Sequence, residues 1–154
     1  MARNSKKYIP EIELENARII FKNFRGAGER YNPEGKRNFG VIIPEEIEQK
    51  LIDDGWNVKH LSPREEDDTP TPYLQVAVSY DYYPPNVYMV ANGKKTMLTS
   101  ETIDILDRAE IENVDMVITP YQWEMSNGRG VKAYLKEMYV TIRVSRFAEK
   151  YADM

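Results

Sequence analysis

Near the end of the chain, rings and cations recur at strand spacing around a short turn: Tyr121, Trp123, Arg129, Lys132, Tyr134 and Lys136. Residues 115–125 and 131–144 read as two long strands joined by Ser126-Asn127-Gly128-Arg129-Gly130. A two-residue turn at Asn127-Gly128 sets Trp123 opposite Lys132, Tyr121 opposite Tyr134 and Thr119 opposite Lys136, all on one face of the sheet. A four-residue turn moves the pairs but keeps that face, whereas a three-residue turn breaks it. Aromatic faces stack on unpaired bases for roughly 1–3 kcal/mol per base, with little regard for sequence. Ammonium and guanidinium groups neutralise phosphates and make binding salt-dependent. This is the chemistry of gripping a single nucleic-acid strand, with Arg129 between two glycines free to reach along the backbone. Such rings also pack in cores and along sheet surfaces, but Lys132 and Lys136 turn this face toward water, because charge is seldom buried. Pro120 marks an edge or a bulge.

A second cluster lies early in the chain. Between residues 22 and 37 stand Lys22, Arg25, Arg30, Lys36 and Arg37 against only Glu29 and Glu34, with Tyr31 beside Arg30. These residues suit the other wall of a binding surface, and they equally suit solvation of a hairpin connection. The net charge of −4 excludes a uniformly basic coat. Acid collects at Glu45-Glu46, Asp53-Asp54 and residues 65–68, so a polyanion is expected at one place only.

The elements that must position these residues are mostly strands. Over residues 11–21, Ile12 and Leu14 point one way and the apolar phase then shifts to Ala17, Ile19 and Phe21. That shift predicts a bulge near Glu15-Asn16 that bends the strand. After Gly26-Ala27-Gly28 and a turn at residues 32–35, residues 39–43 form a second strand. Pro44-Glu45-Glu46 opens a helix with Ile47, Leu51 and Ile52 on its apolar side, ended by Gly55. Residues 56–61 are a short extended piece, and 62–72 an acidic, proline-rich loop. Residues 73–82 alternate cleanly, with Leu74, Val76, Val78, Tyr80 and Tyr82 on one side. Asn92-Gly93 joins a hairpin over residues 87–98, and Thr99 or Ser100 caps a second short helix carrying Ile103, Leu106 and Asp107. Six or seven strands with two short helices point to a β-rich barrel or sandwich in a single domain over residues 1–154. Residues 1–9 read as a flexible N-terminus and 146–154 as a short tail.

Other chemistries find little support. Cysteine is absent, so disulfides and thiolate zinc are excluded, and His60, the sole histidine, has no companion motif for a triad. Residues 65–68 lack the spacing and glycine of a calcium loop, and Gly26-Ala27-Gly28 lacks the third glycine and helix of a phosphate fingerprint. No apolar run approaches the ~20 residues needed to span a bilayer, and the polar, basic start has no signal-peptide core, so a cytoplasmic protein is expected. No metal-ligand spacing supports an enzyme, and none is expected; carboxylates with magnesium would be the route if one existed.

The opening strand Leu14 to Phe24, the turn Arg30 to Gly35, Arg37-Asn38-Phe39-Gly40-Val41, Gly55-Trp56-Asn57-Val58-Lys59 and the closing aromatic strands resemble phage-encoded single-stranded DNA-binding proteins. The resemblance is one of pattern over much of residues 10–144. It implies an OB-fold barrel with elaborated loops and sequence-tolerant binding of single-stranded DNA in phage replication or recombination, with no cofactor and no metal. Its aromatic and basic strand positions fall on Tyr121, Trp123, Lys132, Tyr134 and Lys136, beside the 22–37 loop. The long acidic tail of many such proteins is reduced here to a few residues, which puts tail-borne recruitment of partners in doubt. The resemblance leaves room for phage replication or recombination proteins as partners and for a homo-oligomer in the host cytoplasm, and implies no membrane. The alternative is a protein-interaction module, a phage structural or inhibitory protein, whose exposed tyrosines meet another protein. Salt dependence separates the two.

Overall fold

The computed structural model describes residues 8–28, 34–62, 69–81 and 84–144. The chain runs β1 (Ile12–Leu14), β2 (Ile19–Asn23), β3 (Arg37–Ile42), α1 (Glu45–Asp54), β4 (Lys59–Leu61), β5 (Thr71–Val78), β6 (Asn86–Ala91), β7 (Lys94–Leu98), a 3-10 helix (Ile103–Asp107), β8 (Ile111–Met125) and β9 (Gly128–Ile142). One sheet carries the order β1-β8-β9-β5-β3-β2, and β5 and β6 both pair with β9 in parallel.

β1 and β2 lie at opposite ends of that order yet follow one another in the chain. The bend anticipated at Glu15-Asn16 is therefore a corner: the chain leaves β8 at Leu14 and reaches β3 at Ile19. Asn16 turns it with φ 51°, a value asparagine tolerates. Its N–H is held by Asp115 Oδ1 at 2.9 Å, and the Ala17 N–H by the Val114 carbonyl at 2.8 Å. Among the described residues no strand pairing closes the sheet, and the cornering chain alone joins its two ends. This is the partly open, OB-fold-like barrel that the resemblance implies.

Alternation supplies the core. Leu74, Val76 and Val78 are buried while Gln75 between them is exposed. Phe24 and Phe39 stack at 5.3 Å inside, in one core with the buried Val41, Ile103, Leu106, Ile118 and Leu135. The expected inward phase of residues 17–21 fails at its last member: Phe21 is 60% exposed. The pairing of β2 with β3 slips between Ile20 and Asn23, and that bulge turns its ring outward. Of the two expected helices only α1 is α-helical. It begins after Pro44, carries Glu45, Glu46 and Glu48 in its first turn, and ends on Gly55 at φ 100°. The second is a five-residue 3-10 helix with Thr102, not Thr99 or Ser100, before it, and no side-chain cap bonds its first turn. Asp107 has other work there: its carboxylate accepts the Phe24 and Arg25 N–H groups at 2.8 and 2.9 Å. Asn92-Gly93 makes the anticipated hairpin, with both φ values positive. Ile9 is already buried against the core.

β8 and β9 outrun the rest of the sheet. β1 accompanies β8 only to Ile118, and β5 meets β9 only at Ala133 and Tyr134. Beyond these points the two strands project as an arm, and Pro120 sits where β8 has become an edge.

Candidate nucleic-acid interface

The turn of the arm lies one position earlier than the Asn-Gly pair suggests. Met125 faces Gly128 across Ser126-Asn127, and the pairs become Tyr121 with Lys132, Thr119 with Tyr134, and Trp123 with Gly130. On the arm the shift of each pair is even, so the shared face survives. The register seats the largest ring of the face on the residue with no side chain. A Cβ on Gly130 would lie 2.9 Å from Trp123 Cζ2 and 3.1 Å from Cε2.

On that face the Tyr121 and Tyr134 rings meet edge to face at 6.0 Å, and Lys132 Nζ lies 5.1 Å from the Tyr134 centroid. Tyr121 is 53% exposed, and Trp123 and Tyr134 are partly exposed. Val131, Ala133 and Leu135, which alternate with them, are buried on the inner side. The rings therefore lie on the outer surface of the sheet and not in its core.

Lys136 does not join them. It is the extra residue where Ile118 opposite Leu135 gives way to Val117 opposite Glu137, so the expected pair with Thr119 is not made. Its ammonium group donates to both Glu11 carboxylate oxygens, at 2.8 and 3.1 Å, and that hydrogen bond raises its pKa.

The basic stretch divides as well. Lys22 donates to the carbonyls of Leu106 (2.9 Å) and Ala109 (3.4 Å). Arg37 donates to the carbonyls of Phe24 (2.6 Å) and Ser100 (2.9 Å) and lies 5.7 Å from the Tyr80 ring centroid. Burial raises the pKa of the Tyr80 hydroxyl, with Arg37 opposing it. Lys22 and Arg37 thus tie the 3-10 helix to the turn after β2. Arg25 and Lys36 are exposed; Arg30 and Tyr31 lie outside the described residues.

A groove of about 630 Å³ runs between the arm, the 55–59 segment and β5. Trp123, Arg129 and Lys132 line one side and Asn57, Lys59 and Gln75 the other. The segment is tied to the arm by the Val131 N–H, which donates to the Gly55 carbonyl at 3.0 Å. Trp56 pairs with Val131 there and lies under the groove at 4% exposure. No carboxylate is among the described lining residues. The candidate residues of the chain do not include Lys59, Asn57 or Gln75, each an ordinary polar residue far from the arm in sequence. Gln75 carries a signal in its outward place in the alternation of β5, and Asn57 and Lys59 stand in the 55–59 stretch that bears the family resemblance.

Trp56 is buried beneath the groove, so Trp123 is the indole placed to report base stacking. A Trp123→Phe variant is expected to lose most of any oligonucleotide-induced quenching of tryptophan emission, leaving a Trp56 signal that barely responds. Unreduced quenching in that variant would place the contact elsewhere.

His60 Nε2 meets Glu48 at 2.5 Å on the surface, and no group of three His, Asp or Glu side chains among the described residues could hold a metal ion. The acidic run at 65–68 lies outside the described residues.

A family model described as "Putative phage ssDNA-binding domain" matches residues 1–154. Among solved structures, the single-stranded DNA-binding protein from bacteriophage Enc34, in a C-terminal truncation, aligns with TM-score 0.56 at 14% identity, over 88% of this chain and 87% of that one. The same phage protein in complex with ssDNA aligns with TM-score 0.54 at 15% identity, over 89% of each chain. At these identities the likeness is one of fold. No curated protein matches the chain.

Proposed function

The chain belongs to the phage ssDNA-binding domain family and binds single-stranded DNA in phage replication; from that premise we propose that the strand lies in the groove beside the arm. Trp123, Tyr121 and Tyr134 offer faces and edges to unpaired bases. Lys132, Arg129 and Lys59 neutralise phosphates, and Arg25 and Lys36 extend the basic rim. Gln75 and Asn57 supply hydrogen-bonding groups that any base or sugar can use. Lys22, Arg37 and Lys136 hold the scaffold instead.

The carrying observation is the composition of the groove: an indole and three cations without a described carboxylate, in a chain of net charge −4. Stacking tolerates any sequence, because every base has a π-face. Recombination exposes the same strands, so the proposal extends to it. It places the protein in the host cytoplasm as one binding domain without catalysis. No helix among the described residues is long and apolar enough to cross a membrane.

Salt titration tests it. For a single strand, log K falls with log salt at about 0.7 per phosphate neutralised. Lys59, Arg129 and Lys132 together predict a slope of about −2 with oligothymidine. Lys59→Ala is expected to flatten it by about 0.7. A slope near zero in the wild type would favour a protein-binding patch, and an unchanged slope in the variant would remove Lys59 from the site.

A further inference from the structure

Resting on that reading, we propose that the strand crosses the outer face of β5 and β3 and meets a second base-stacking subsite, formed by Phe21 and Tyr73 with Lys59 beside them. Phe21 carries the inference. Its backbone has φ 51°, a left-handed value that a bulky side chain rarely adopts and that marks functional sites where it persists. The same bulge leaves its ring 60% exposed on the outside of the sheet. A phenyl ring has nothing to gain from water, so a conformation that is costly and also exposes it calls for an occupant.

The surroundings fit an unpaired base. Tyr73 meets the Phe21 ring edge to face at 5.7 Å and 66°, which steadies the ring while leaving much of it open. Gly40 lies beneath: a Cβ there would stand 2.9 Å from Ile20 Cγ1 and 3.3 Å from Tyr73 Cδ2, so its absence lets both side chains close over the β3 backbone. Lys59 is the cross-strand partner of Tyr73 and also lines the arm groove, which makes it the cation common to both places. Gln75, which lines the arm groove, reaches across to β3 and donates to Asn38 Oδ1 at 2.9 Å. From β8 to β2 the sheet order counts four strand spacings, roughly 19 Å along the surface. An extended strand a few nucleotides long spans that.

Oligothymidines from about 4 to 16 nucleotides, the range of OB-fold site sizes, test it on the full chain. Phe21→Ala should bind the shortest oligomers as the wild type does and fall at least about fivefold behind on the longest. Trp123→Ala should weaken at every length. Phe21→Trp should keep its affinity and gain emission that only longer oligomers quench. If alanine unsettles the bulge in a thermal melt, Phe21→Asn removes the ring with a residue that tolerates positive φ. A ring-deleted variant that tracks the wild type at every length, or new emission indifferent to DNA, overturns the subsite. Loss in Trp123→Ala alone leaves the arm groove standing without it, and loss in neither fails both.

Discussion

Replacing Trp123 and Tyr121 together with alanine will weaken oligothymidine binding by roughly 2–5 kcal/mol, while the thermal transition stays close to that of the wild type. Each stacked base is worth about 1–3 kcal/mol. The two side chains are outer-face neighbours two residues apart on one strand, so their losses need not add. Tyr121 is half exposed, and the inner face of the arm is held by Val131, Ala133 and Leu135, which the double variant leaves in place. Fluorescence anisotropy with a labelled oligomer reads the loss directly. Gly130→Ala sharpens the test, because it keeps both rings but forces the indole from its seat. It should recover only part of the wild-type affinity. Wild-type affinity in the folded double variant would show that the strand does not stack on the arm.

The largest effect on stability is expected at Asp107. Its carboxylate caps two backbone N–H groups more than 80 residues away, at Phe24 and Arg25, and the Phe24 side chain is fully buried. Hydrogen bonds to charged groups contribute about 1.5–3 kcal/mol each, and a buried donor left unpaired costs more than a lost contact. The Arg25 bond is exposed, which discounts its share. Asp107→Ala should therefore cost roughly 2–4 kcal/mol. At this chain length that lowers Tm by about 5–15 °C. Asp107→Asn keeps one acceptor and should restore about half. A Tm within about 2 °C of the wild type in Asp107→Ala would mean that Lys22 and Arg37 hold the joint without it.

Much of the architecture could be read along the chain because it rests on local backbone geometry. Alternation alone placed Gln75 outward between Leu74 and Val76, and put Tyr121, Trp123, Lys132 and Tyr134 on one face. That face withstood a misplaced turn, because moving the turn by one position shifts every pair by two and leaves the side-chain parity alone. The corner at Asn16 announced itself as a phase shift, and the Asn92-Gly93 hairpin as a dipeptide.

What each long cation touches was decided elsewhere. Lys22 and Arg37 look like phosphate ligands in the chain. In the fold they serve carbonyls 13 to 87 residues away, and Lys136 is held by a carboxylate 125 residues away. Lys59 stands in a stretch that bears the family resemblance, but only the pairing of β4 with β5 brought it to the groove. Phe21 left the place its sequence neighbours suggested, turned out by a bulge. Side-chain direction follows from the period of the strand, which is local. The partner of a flexible charged chain, or the slip of a ladder by one residue, depends on which distant groups the fold brings within a few ångströms, and no stretch of sequence holds that information.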